Sequence, residues 1–153
     1  MIRDYLDIDH KWGILAYYDV LPEDFSQLGP ILREFGCSES DIAHAQRVVS
    51  IPNHAFVYNV PWARMSVMAV GPVTHPRQFL NSFMHESDHL QDAILEYYDV
   101  AQGTEQAAYL QGYLGELAYD AILPLLCPEN CPEDVEFEYM RLPPVNFRCR
   151  CGQ

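Results

Sequence analysis

The stretch Ser82-Phe83-Met84-His85-Glu86-Ser87-Asp88-His89-Leu90-Gln91 constrains this chain more than any other. It sets a His-Glu-x-x-His pattern inside a run of helical periodicity. Residues four apart on a helix share a face, with Cβ atoms ~5–6 Å apart. His85 and His89 are therefore spaced to hold one tetrahedral zinc, whose bonds to imidazole nitrogen run ~2.0–2.1 Å. Glu86 falls beside them, where a carboxylate can act on a metal-bound water. A zinc that does chemistry needs three protein ligands and one open position. The rest of the chain is thus expected to supply a third ligand, a substrate edge and a supporting core.

The flanking pattern fits that demand. Phe79-Leu80, Phe83-Met84, Leu90 and Ile94-Leu95 mark the apolar positions of a helix that starts at Thr74-His75-Pro76 and runs to about Tyr98. Asp92 shares the face of the two histidines and is suited to hold a histidine's second ring nitrogen. After a break over 99–103, Thr104 reads as the N-cap of a second helix reaching about Leu123. Glu105, Tyr109, Gly112 and Glu116 lie along one side of it. Gly112 and Gly115 imply either close helix–helix approach or room beside the helix. If the helices pack antiparallel across a connection of about five residues, Glu105 returns near the end of the first helix. Glu116 would reach closer to its middle, so either carboxylate can complete the metal site.

Upstream, Trp12 to Tyr18 has the aromatic and apolar character of a strand. Phe25, Leu28, Ile31, Leu32 and Phe35 recur at helical spacing up to Gly36, and Ser38 caps a further helix through Val48-Val49. This helical pair is expected to cover one side of a sheet. Runs 54–60 and 64–70, joined by Pro61-Trp62-Ala63 and closed by Gly71-Pro72, predict a hairpin. The fold class is α+β: a small antiparallel sheet packed on helices, in one domain over 1–126. A Cys- and Pro-rich irregular tail occupies 127–153. A chain of 153 residues is long enough for one proper core.

The residues His85-Glu86-x-x-His89, followed by Glu105-x-x-Ala108-Tyr109-Leu110-x-Gly112-Tyr113, resemble the gluzincin metallopeptidases. The likeness is to their short members from bacterial and phage-derived genes and spans roughly His54 to Glu116. It implies a zincin-like domain in which His85, His89 and Glu105 bind zinc and Glu86 is the catalytic base. Tyr109 would face the metal or the oxyanion, a role His75 could share. The implied activity is hydrolysis of a peptide or protein substrate laid along the hairpin edge. The chain departs from the stricter pattern at Asp88 and Gln91, where an uncharged and a hydrophobic residue are usual. The competing reading is a non-catalytic, zinc-stabilised binding or structural protein.

Composition narrows the partners. The net charge of −13 opposes an electrostatic grip on nucleic-acid phosphates or anionic lipid. The polar, acidic start Met1-Ile2-Arg3-Asp4-Tyr5-Leu6-Asp7 has no signal-peptide character, and no apolar run is long enough to span a bilayer. A cytoplasmic protein is expected. Of the five cysteines, Cys37 stands alone, while Cys127, Cys131, Cys149 and Cys151 cluster in the tail as a candidate second, structural zinc site.

Overall fold

Trp12 to Tyr18 carries no charged residue, a composition that suits a strand covered on both faces. The computed structural model, which describes residues 1–127, buries it so, with all but Leu15 shielded from solvent. Strands β1 (Ile2–Ile8) and β2 (Trp12–Tyr18) form a hairpin. Helices α1 (Phe25–Glu34) and α2 (Glu39–Val49) follow, then a second hairpin of β3 (Ala55–Val60) and β4 (Met65–Val70). Helices α3 (Pro76–Tyr97) and α4 (Glu105–Leu126) end the described chain.

The four strands lie in the order β1-β2-β4-β3. Both hairpins are antiparallel, but β2 and β4 pair in parallel, from Gly13 opposite Met65 to Tyr17 opposite Ala69. The sheet is therefore mixed, which corrects the all-antiparallel expectation. Tight turns force antiparallel pairs, whereas a parallel pair needs a long crossover. Here α1 and α2 carry the chain across one face before the second hairpin docks. Strand β1 is a further element that its acidic sequence did not announce.

The sheet has helices on both faces, so the core is divided in two. Trp12, Ile14, Ala16 and Tyr18 of β2 pack with Met68 and Val70 against the inner sides of α3 and α4. Tyr17, Val67 and Ala69 point the other way, onto Leu28, Leu32, Ile42 and Val49 of α1 and α2. The upstream helical pair thus covers one side of the sheet, as its pattern implied. A fully buried phenylalanine such as Phe79 or Phe83 contributes ~1.5–3 kcal/mol relative to exposure. Those two rings set the height of α3 above the sheet, meeting Tyr18 edge-on at centroid distances of 6.0 and 6.2 Å.

Two polar devices brace this arrangement, the first between α3 and the second hairpin and the second within the sheet. Asn53, buried and held at φ 58°, donates from Nδ2 to Thr74 Oγ1 and Gln78 Oε1, both at 2.7 Å, and accepts from the Thr74 amide at 3.0 Å. Ser82 Oγ adds a hydrogen bond to the Asn53 carbonyl. Deeper in the sheet, Trp12 Nε1 donates to Ser66 Oγ at 2.9 Å, and Ser66 donates to Asn59 Oδ1 at 2.7 Å. That chain links three strands and leaves the buried indole N–H satisfied, avoiding a cost of ~1–3 kcal/mol. Among the described residues, no helix is long and apolar enough to cross a membrane.

Candidate metal centre

Helix α3 begins with Pro76 in its first turn, where the missing N–H costs nothing. His75 caps it, its Nδ1 accepting from the Arg77 amide at 3.2 Å. The side buried against the rest of the protein carries Phe79, Phe83, Glu86, Ser87, Leu90, Gln91, Ile94 and Leu95. His85 and His89 emerge on the exposed side. Their rings stand edge to face with centroids 4.7 Å apart, and the two Nε2 atoms are separated by 3.2 Å.

That separation tests whether the pair suits zinc. Two nitrogens each ~2.0–2.1 Å from one tetrahedral ion lie ~3.3 Å from one another. The observed 3.2 Å lies close to that distance, and both nitrogens stand together on the helix face. Without an ion the same spacing allows one imidazole to donate to the other. The donor set therefore fits a zinc as far as two ligands go.

Glu86 is turned inward from its histidine neighbours. It is 6% exposed and makes no hydrogen bond among the described residues. Burial pushes its carboxyl pKa above the ordinary value of 4.5, opposed in part by the charges of His85 and His89. It opens onto a groove of about 570 Å³ between β3 and α3. Helix α3 contributes His89, Asp92 and Glu96 to the same groove, and β3 contributes Ala55, Val57 and Asn59. The far wall is α2, through Val48 and His44.

His44 has no counterpart in the sequence reading. It lies beside Ile42 and Ala45 in an amphipathic helix, and nothing local distinguishes it from other exposed polar residues. Only the passage of α2 alongside β3 brings it into the groove.

The remaining expected site residues are less gathered. Glu105 stands exposed in the first turn of α4 and Glu116 is exposed three turns later. Among the described residues, no three His, Cys, Asp or Glu side chains are disposed to hold one metal ion. Neither glutamate thus joins the histidine pair in this arrangement. Tyr109 is 71% exposed on α4, and His75 is buried at the helix cap. Asp92 accepts from Gln102 Nε2 at 2.9 Å, which ties it to the α3–α4 connection. A Cβ built on Gly112 or Gly115 meets no heavy atom within 4 Å, so these glycines leave space beside α4 and no close helix crossing.

The departure at Gln91 has a structural reason. Its buried amide donates to the Ala107 carbonyl and clamps the first turn of α4 onto α3. A hydrophobe there would leave that carbonyl without this bond. In the tail, Cys127 is exposed and forms no disulfide among the described residues, while Cys131, Cys149 and Cys151 lie outside them.

Comparison of the chain with protein-family models, curated proteins and solved structures returned no match.

Proposed function

We propose that this protein is a zinc-dependent peptide hydrolase of gluzincin type. The observation that carries the reading is the pair of Nε2 atoms, 3.2 Å apart on one helix face, beside a buried carboxylate that opens onto a groove. His85 and His89 would hold the metal, with a carboxylate of α4 as third ligand. Glu105 is the proposed residue, because the Gln91–Ala107 hydrogen bond fastens its turn to α3; Glu116 is the alternative. When bound, zinc supplies a Lewis acid that makes water nucleophilic near neutral pH and polarises a carbonyl.

The chain's own groups do the rest. Glu86 takes a proton from the attacking water and passes it to the leaving amine nitrogen. Its burial favours this work, since a base with a raised pKa holds the proton more readily. Strand β3 ends the sheet, and among the described residues it pairs only with β4. Its outer edge can align an extended peptide by main-chain hydrogen bonds.

The test is metal stoichiometry on the purified protein alongside His89→Ala and Glu86→Gln. One zinc per chain should be found in the parent, lost in His89→Ala and kept in Glu86→Gln. Hydrolysis of an unstructured protein substrate should fall by at least ~100-fold in Glu86→Gln, the scale of a removed general base. Zinc content unchanged by His89→Ala would overturn the metal assignment. Zinc that is retained beside unaltered biological activity in Glu86→Gln would overturn the enzyme.

A further inference from the structure

The groove beside Glu86 has a one-signed wall. Three carboxylates line it, from Glu86, Asp92 and Glu96, and among the described residues no lysine or arginine does. A stripe of acids on a helix is ordinarily a solvated face. Here it borders a cavity whose opposite wall is a strand edge that, among the described residues, has no partner, and it leads to a carboxylate, Glu86, that is buried without a hydrogen-bond partner among those residues. An occupant of this groove is expected to present main-chain donors and acceptors to β3 and positive charge to α3.

We propose that the groove receives an extended peptide bearing lysine or arginine, with Asp92 and Glu96 as the subsite for the cationic side chains. The inference rests on the hydrolase reading only for where the cut would fall.

The spacing fits a peptide strand. Asp92 lies three residues beyond His89 and Glu96 seven, or ~4.5 and ~10.5 Å along the helix axis. An extended peptide advances ~3.4 Å per residue. Basic side chains one to three residues from the bond beside Glu86 and His89 would therefore meet these acids. Asp92 has one oxygen occupied by Gln102 at 2.9 Å, which orients the carboxylate and leaves the second for a ligand. Glu96 is exposed and can follow a long side chain.

The direction of the peptide also follows. Asn53, just before β3, is bonded to Gln78 and Ser82 of α3, and the Pro61–Ala63 turn after β3 also packs on α3. Strand and helix thus run the same way, from the Glu86 end towards the Glu96 end. Antiparallel addition, the slightly more stable mode, sends the peptide the opposite way. Its basic residues then lie on the N-terminal side of the bond at Glu86.

Binding of fluorescently labelled ten-residue peptides of Val, Thr and Ala tests this without cleavage, in the Glu86→Gln protein. One peptide carries two lysines, one carries two glutamates and one is neutral. The lysine peptide should bind on the order of five- to tenfold more tightly than the neutral one, as two partly desolvated charge pairs allow. The glutamate peptide should bind weakest. Asp92→Asn with Glu96→Gln should bring the lysine and neutral peptides within ~2-fold. Glu96→Lys, at an exposed position, offsets the charge of Asp92 and should likewise erase the lysine preference. With the parent protein, mass spectrometry of the products should place lysine one to three residues N-terminal to the cut.

Equal binding of all three peptides, no binding of any, or a lysine preference that survives the double substitution overturns the proposal, whatever zinc and cleavage assays show. A lysine preference abolished by the double substitution upholds the subsite even if the parent protein cleaves nothing, in which case only the hydrolase reading falls.

Discussion

Glu86 faces two demands. Its side chain sits in a place where a charge is poorly solvated, while the two adjacent histidines look outward. Burial raises the carboxyl's folded-state pKa above its ordinary value of 4.5. Such a group contributes its full stabilisation when protonated in both states, and that contribution is lost as pH rises through the folded-state value. In the zinc-free protein, Glu86→Gln should therefore be more stable than the parent at neutral pH. The gap should close as pH falls towards 4.5. Urea midpoints measured across that range check it, and a gap that widens on acidification contradicts the burial account. The same residue shows what was readable beforehand. The i, i+4 spacing placed the His85 and His89 rings side by side on one face, because helix geometry alone fixes it. Which way Glu86 turns, and that His44 would stand across the groove, depend on packing partners remote in sequence.

Among the elements, helices were the most legible. Ser38, Thr104 and Pro76 mark helix starts through local chemistry, and each lies where its pattern placed it. Ser38 Oγ accepts from the Asp41 amide at 3.2 Å and Thr104 Oγ1 from the Ala107 amide at 3.3 Å. Thr104→Ala should cost ~1 kcal/mol in urea denaturation, with Thr104→Ser close to the parent. Because Glu105 follows directly, the alanine variant should also weaken zinc retention if that glutamate is a ligand. Strand β1 was missed for a physical reason. Its Leu6 and Ile8 alternate with outward-facing residues, and Arg3 and Asp7 make it look like a polar terminus. Charges of that kind suit an edge strand, where they discourage pairing with another chain. The hairpin 54–70 was read correctly from its flanking prolines, but the neighbour it would choose had no local signal.

At the scale of the molecule, one sheet serves two cores. Strands β2 and β4 each send alternate side chains to opposite faces, so damage on one side is felt on the other. Leu32→Ala, in α1, removes a fully buried side chain and should cost ~2–5 kcal/mol. Trp12 lies on the opposite face at 1% exposure, whereas Trp62 is 76% exposed. In a Trp62→Phe background, Trp12 fluorescence and far-UV circular dichroism should report the same lowered midpoint. Separate transitions would show that the two helical layers unfold independently.

The parallel pairing of β2 with β4 also has a consequence in time. Each hairpin closes over a short loop and can form within ~1–10 μs. Gly13 and Met65, paired across the seam, are separated by roughly fifty residues of chain. Joining them requires α1 and α2 to be laid over the sheet first or together, and such distant contacts slow folding far more than they alter stability. Refolding is therefore expected to be limited by the meeting of two ready-made hairpins. The groove beside β3 would be shaped early in outline and acquire its α2 wall only when that meeting is complete.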